Sequence, residues 1–206
     1  ILTGRAWPFA ERPYANRNFV FPLLLPAQSS TVLYLQIKTP DQFRVPARLW
    51  ARTAFQEHER RDYALQAWYF GMVLALVVFN GLLYVFLHDT RFLLYLFFGS
   101  CVAFTSLSNT GLGTEFVWGN LPTWSMVSTH VGVSVAEIAL LLFMRRMFFT
   151  RRLVPRLDHL LKLAIGLNLA FLALVPVAFA EVARVTSVLH GLTALLIMVT
   201  SVVCAL

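Results

Sequence analysis

The chain has 206 residues, of which 58% are hydrophobic and only 13% are charged. A soluble domain averages about half apolar and about a quarter charged, so this composition excludes an ordinary soluble protein. The net charge is +7, but the basic residues flank long apolar runs and form no continuous patch, which excludes nucleic acid as a partner. The two cysteines, Cys101 and Cys204, lie inside apolar runs, where cysteine behaves as a small hydrophobe.

Residues 1–55 form the first predicted unit. Apolar and polar residues alternate in the stretches 18–26, 31–39 and 44–52, which is the period of a strand with one buried face. Turn-forming residues separate these stretches. Short strands of this kind predict a β-sandwich, and so few residues bury little core, so we expect the C-terminal part of a larger domain. Residues 56–64 form a charged junction.

Three aromatic residues of this unit, Trp7, Tyr14 and Trp50, have two interpretations. They could form a platform on which a sugar ring stacks. Aromatic side chains more often bury apolar area in a core or a turn, so packing is the commoner role.

Five uncharged or nearly uncharged runs follow the junction. About 20 residues cross 30 Å of hydrocarbon as a helix, so each run is long enough to be a membrane span. We expect a tight turn at Glu181–Arg184 between the last two. The predicted spans cover about 65–87, 92–111, 124–143, 163–180 and 185–206.

The loop Met144–Lys162 sets the predicted orientation. It holds six basic residues, whereas the loop Leu112–Thr123 on the other side of the third span holds none. Basic loops stay in the cytoplasm, so the N-terminal unit is predicted to lie outside the cell membrane. The loop could also bind anionic lipid headgroups, although orientation alone explains it. Its basic residues are Arg145, Arg146, Arg151, Arg152, Arg156 and Lys162.

Polar residues inside the predicted spans are candidate sites for a relay or a ligand. Glu137 lies about 12 Å from Arg145 along the helix, close to the membrane midplane, where an unpaired acid is costly. His130 shares its helix face but lies about 10 Å away, which excludes a shared metal ion. His190 is a candidate partner, and the structural alternative is a hydrogen bond between helices. Asn80 has the same two interpretations.

Two residues of the outer loop, Trp118 and Asn120, are candidates for coupling. They could contact the β-unit and carry its movement to the helices. An interfacial aromatic anchor is the alternative for Trp118. The sequence contains no Walker loop, His-Glu-x-x-His, Cys-x-x-Cys or nucleophile elbow, so we expect no enzyme activity, cofactor or metal in this segment.

The order of the parts resembles the bacterial seven-transmembrane receptors with diverse intracellular signalling modules. Residues 1–55 resemble the closing half of that family's extracellular β-domain, through Thr3-Gly4, Pro8-Phe9, Arg12, Phe21-Pro22-Leu23 and Leu33-Tyr34-Leu35, together with Phe19 and Leu49-Trp50. Residues 66–206 resemble the start of its membrane domain, through Gly71, the run Phe79–Tyr84, Asp89 before Leu94-Tyr95, and the loop Gly111–Pro122.

The resemblance implies a receptor of the bacterial inner membrane. It implies a jelly-roll-like β-domain that binds carbohydrate or another small ligand, and two further spans, giving seven. It also implies a cytoplasmic output module, such as a diguanylate cyclase or a histidine kinase. We therefore expect a truncated receptor in contact with the lipid bilayer, and a homodimer stays open. The alternative is a transporter or channel with Glu137, His130 and His190 along its path, although the paired repeats of transporters are not visible.

Overall fold

The computed structural model describes residues 3–28, 30–37 and 46–205, with the side chains of 176–184 and 205 left aside. Apart from a single 3₁₀ turn at Phe9–Glu11, the regular structure of these residues is α-helical. The helices are α1 (Arg52–Leu87), α2 (Thr90–Asn109), α3 (Leu112–Phe116), α4 (Pro122–Met147), α5 (Thr150–Leu153) and α6 (Pro155–Ala205).

Five helical segments are long and apolar enough to cross a membrane, which confirms the predicted helical bundle. The first starts earlier than predicted, because the charged junction 56–64 continues α1 as one helix back to Arg52. The five segments are Arg52–Leu87, Thr90–Asn109, Pro122–Met147, Pro155–Val175 and Val185–Cys204.

Helix α6 is a hairpin and not a straight rod. Phe171 and His190 are nineteen positions apart, which is about 28 Å along a straight helix, yet their ring centroids are 6.1 Å apart. Leu196 likewise packs against the cluster that contains Leu161. The two membrane-length halves are therefore antiparallel, and the chain reverses between Val175 and Val185. The tight turn at Glu181–Arg184 stays a prediction inside that interval.

Helix α4 is the centre of the bundle, with α2 on one side and both halves of α6 on the other. The side chains that it buries are mostly small, including Ser128, Ser134 and Ala139. Small residues let membrane helices approach closely, because van der Waals packing and hydrogen bonds hold such helices together. Larger side chains, Leu141 of α4 and Leu161 of α6, close the half of the interface next to the basic loop.

The predicted β-sandwich is not seen in the described residues of the N-terminal unit. Residues 3–28, 30–37 and 46–51 contain no strand, and apolar side chains of the predicted strands, such as Leu25, Leu33 and Leu49, are exposed. A strand takes its backbone hydrogen bonds from a neighbouring strand, and the described residues of the predicted strands form no such pairing. Residues 38–45, which complete the predicted second and third strands, lie outside the described residues.

Gly132 of α4 sets how closely α2 approaches. A Cβ at this position would lie 2.7 Å from Thr105 Oγ1 and 3.0 Å from Phe104 Cδ1. We expect Gly132→Ala to lower the free energy of unfolding by about 1–3 kcal/mol, the usual cost of overpacking. Gly166→Ala in α6 is the matched control, because a Cβ there would have no neighbour within 4 Å and alanine favours the helix. Unfolding in mixed micelles measures both variants, and equal stability of the two would contradict this account.

Candidate functional site

Arg17 joins the N-terminal segment to two helices at the outer end of the bundle. Its guanidinium donates two hydrogen bonds to the Asp62 carboxylate of α1, one from Nε to Oδ2 and one from Nη2 to Oδ1, each 2.8 Å long. A third runs from Nη1 to the carbonyl oxygen of Thr110, just beyond α2, at 2.9 Å. Arginine suits this place because its planar fork binds a carboxylate at two points and still has a donor free.

Gly111 lets the Arg17 backbone reach this position. Its φ is +82°, a left-handed conformation that glycine adopts without strain. A Cβ at Gly111 would lie only 2.9 Å from the Arg17 carbonyl oxygen. The glycine therefore serves both the turn between α2 and α3 and the close contact with the N-terminal segment.

Residues just before Arg17 in the chain reinforce the same attachment. Asn16 Nδ2 donates to Glu59 Oε1 at 2.6 Å, and the Tyr14 hydroxyl donates to Glu59 Oε2 at 3.0 Å. The hydrogen bond with Glu59 raises the pKa of the Tyr14 phenol, so the phenol stays protonated and remains a donor. Arg12 Nη1 donates to the carbonyl oxygens of Asn16 and Arg17 and so fixes the turn of the segment.

Further contacts reach α3 and the loop behind it. The Tyr63 hydroxyl donates to Glu115 Oε2 at 2.6 Å and accepts from the Arg17 backbone amide at 3.3 Å. The Phe9 amide donates to the Gly119 carbonyl oxygen at 2.9 Å. We call this whole contact the outer junction. It comprises Phe9, Arg12, Tyr14, Asn16 and Arg17 of the segment, with Glu59, Asp62, Tyr63, Thr110, Gly111, Glu115 and Gly119 of the membrane domain.

The two predicted coupling residues lie beside this junction. Trp118 is only 7% exposed and packs between Phe104 and Trp124, with ring centroids 5.7 and 6.4 Å away. A Cβ at Gly113 would overlap its ring, so that glycine makes room for the indole. Asn120 is exposed. The packing of Trp118 thus positions the next residue, Gly119, which contacts the N-terminal segment. The coupling role of Trp118 and Asn120 stays a prediction.

The predicted aromatic platform is spread over different partners. Tyr14 packs edge-on against Phe55 at 5.7 Å, and Trp50 stacks on His58 at 4.7 Å. Trp7 is partly exposed, and no ring contact within the described ranges joins the three aromatic side chains to one another. A sugar-binding role for them stays a prediction.

Inside the bundle, the structure brings together two of the predicted relay residues. Glu137 Oε2 of α4 lies 3.0 Å from His190 Nδ1 in the second half of α6, with side-chain exposures of 13% and 17%. The Phe171 ring covers the imidazole edge-on. His130 lies two turns before Glu137 on α4. Asn80 donates to the Leu76 carbonyl oxygen of its own helix at 2.8 Å, so this bond joins no second helix.

The basic loop contains a buried acid that the sequence interpretation passed over. Asp158 accepts from Arg145 Nε at 2.8 Å and from Thr150 Oγ1 at 2.9 Å, and it pairs with Lys162 Nζ at 2.9 Å. The signal was available, since Asp158 is the only acid between Met144 and Lys162. Arg17 and Asp62 carried no comparable signal, because 45 residues separate them and neither interrupts an apolar run.

The Glu137–His190 contact should hold α4 against α6. In a double-mutant cycle of Glu137→Ala and His190→Ala, we expect a coupling energy of about 0.6–1.7 kcal/mol, the range of hydrogen bonds between membrane helices. Unfolding in mixed bicelles measures the three variants. Strictly additive effects would show that the two side chains do not stabilise each other.

Comparison with known proteins assigns both parts of the chain. Residues 62–206 match the family model described as 7TM diverse intracellular signalling, and residues 1–51 match the one described as 7TMR-DISM extracellular 2. Searches of curated proteins and of solved structures gave no match. The first family model alone covers 145 of the 206 residues, and the second takes in the segment that carries Arg17. The chain therefore belongs to the seven-transmembrane receptors with diverse intracellular signalling.

Proposed function

We propose that this chain is the sensing and membrane-spanning part of a receptor in the bacterial inner membrane. It couples an extracytoplasmic ligand, a carbohydrate or another small molecule, to a cytoplasmic output module of the diguanylate cyclase or histidine kinase type. The pair of matched families supports the receptor role. The observation that carries the coupling is the outer junction, where Arg17 of the extracellular family segment is bonded to α1 and to the end of α2.

The proposed orientation is supported by the segment that matches the extracellular family. If residues 1–51 lie outside, α1 crosses inward, and the turn between α1 and α2 is cytoplasmic. Helix α2 returns outward, α3 lies outside, and α4 leads back to the basic loop in the cytoplasm. The distribution of basic residues supports the same arrangement, with six in the loop 144–162 and none in 112–123.

The outer junction gives the proposed signal a defined route. A ligand can shift a receptor only by binding one of its two states more tightly. A ligand that moves the N-terminal segment would also move Arg17. Both helices would then be affected, because the guanidinium bonds to α1 and to the end of α2. Displacing it moves α1 relative to α2. Helix α2 packs on α4, and α4 packs on both halves of α6, so the rearrangement reaches the cytoplasmic end through direct contacts.

The transporter alternative has less support. Glu137 and His190 bond to each other, and Phe171 covers the imidazole. Among the described residues, the pair thus serves as a contact between helices more readily than as an open polar path. The family match also describes signalling.

Reporter fusions test the orientation. We expect alkaline phosphatase to be active when fused after Phe55 or after Gly119, and a fluorescent cytoplasmic reporter to be active after Arg152. These sites lie in the first turn of α1, in the outer loop and in the basic loop. Phosphatase activity after Arg152 would contradict the proposed orientation, because it would place the basic loop outside.

The coupling role of Arg17 can be tested in the full-length receptor. We expect Arg17→Gln and Asp62→Asn to change the basal output in the same direction, and the double variant to add nothing, because each single change already breaks the ion pair. Cyclic di-GMP production or autophosphorylation, according to the module present, reports the output. Hydrogen exchange of the amides at 106–112 should rise in parallel.

Arg5→Gln is the matched control for this test. It removes the same charge from the same segment, but Arg5 makes an exposed 3.3 Å bond to the Asn109 carbonyl oxygen and has no acidic partner among the described residues. Unchanged output in a folded Arg17→Gln variant, or an equal change in Arg5→Gln, would refute coupling through the Arg17 ion pair.

A further inference from the structure

The cytoplasmic loop between α4 and α6 is short and has a defined shape. Helix α4 ends at Met147, the single turn α5 covers Thr150–Leu153, and α6 begins at Pro155. Phe149 between them has a φ of +49°, a left-handed conformation uncommon for a bulky residue. The loop therefore turns sharply and keeps α5 next to the ends of two membrane spans.

Asp158 holds the loop in this shape. Its carboxylate is 3% exposed and contacts Arg145 of α4, Thr150 of α5 and Lys162 of α6. One buried acid thus ties the three helices that meet in the loop. A buried carboxylate is stable only with such partners, so these contacts also engage two of the six basic side chains.

A third basic side chain, Arg146, lies within the electrostatic range of another acid, Asp89. Asp89, in the turn between α1 and α2, accepts from the Arg91 backbone amide and pairs with the Arg91 guanidinium at 2.8 Å. The bond from the Arg91 amide and the charges of Arg91 and Arg146 lower the pKa of Asp89. Arg146 therefore lies in the field of an ionised carboxylate.

Three arginines remain, and they are concentrated at α5 and the start of α6. Arg151, Arg152 and Arg156 are exposed and have no acidic partner within the part of the chain that the structure describes. Their immediate apolar neighbours, Phe149 and Leu153, are 57% and 68% exposed. Apolar side chains interleaved with arginine, beside the ends of membrane spans, are typical of a segment that lies in the lipid interface.

We propose that Arg151, Arg152 and Arg156 bind the headgroup of an anionic phospholipid in the cytoplasmic leaflet, with Phe149 and Leu153 against the acyl chains. The guanidinium fork matches the oxygens of a phosphodiester, and the leaflet offers the negative charge that these three arginines do not find among the described residues. This inference rests on the cytoplasmic placement of the loop proposed above. It does not depend on the extracytoplasmic ligand or on the output.

Lipid selectivity of the membrane-reconstituted full chain tests the proposal. Spin-labelled phosphatidylglycerol and phosphatidylcholine are compared in vesicles of phosphatidylcholine, and the motionally restricted fraction gives their relative association with the protein. We expect a preference for phosphatidylglycerol that falls at least about fivefold in Arg151→Gln/Arg152→Gln/Arg156→Gln, the effect of losing even one basic residue near a membrane surface. The Arg→Lys triple variant keeps the charge and the orientation signal, and should keep most of the preference.

A matched control separates this site from general attraction to a basic protein. Arg52→Gln/Arg60→Gln/Arg61→Gln removes the same charge from exposed positions at the outer end of α1, and should leave the preference unchanged. Phe149→Ser/Leu153→Ser should weaken it while keeping every charge. Unchanged selectivity in the glutamine triple, or an equal loss in the outer triple, would overturn the proposal. The reporter fusion after Arg152 shows separately whether the orientation itself has failed.

Discussion

The Arg17 guanidinium is the only side chain of the described N-terminal segment that bonds to both α1 and the end of α2. Its geometry leaves little freedom, because two hydrogen bonds are directed at one carboxylate and a third at a backbone carbonyl at a different angle. Glu59, Tyr63 and Gly111 all adapt to it, by holding the neighbouring turn, by accepting from the Arg17 amide, or by leaving room for its carbonyl oxygen. The outer end of the bundle is thereby organised by a residue that is not in the membrane.

The opposite end of the bundle uses the same chemistry with the charges exchanged. Outside, one arginine bonds to an acid of α1 and to a carbonyl near α2. In the basic loop, one acid, Asp158, gathers donors from α4, α5 and α6. Between these ends the contacts are mostly small side chains and the Glu137–His190 pair. Each end therefore has a specific polar connection, while the middle relies on close packing.

The parts of the fold that sequence could predict are those set by local properties. Length without charge identifies a membrane span, and the bias of basic residues between two loops predicts a side of the membrane; neither needs a distant partner. The pairing of Arg17 with Asp62 joins two residues 45 positions apart. The hydrophobic pattern of the sequence does not predict such a contact. The ion pairs of Asp158 could have been predicted, because it is the single acid among six basic residues. Trp118 was identified as a residue of interest, but its burial against Gly113 depends on the fold of the loop.

The strands predicted for the N-terminal residues are absent from the described residues for the same reason that the Arg17–Asp62 pair was not predicted: both depend on a distant partner. A helix satisfies its backbone within one segment, so α1 forms wherever its own residues allow it. A strand needs a neighbour, and alternation alone does not supply one. The pattern in 18–26 and 31–37 thus predicts only which face would be buried if these residues paired as strands.

The unbroken length of α1 has a mechanical consequence. The uncharged part, residues 65–87, is enough to cross the hydrocarbon, so the preceding turns from Arg52 extend about 20 Å beyond it at 1.5 Å per residue. Glu59, Asp62 and Tyr63 all lie on that extension. In the proposed orientation, the helix can therefore act as a lever whose pivot is the outer membrane boundary. A sideways push on the arm outside would tilt the arm inside the bilayer in the opposite direction, with the hydrogen bonds of the helix intact.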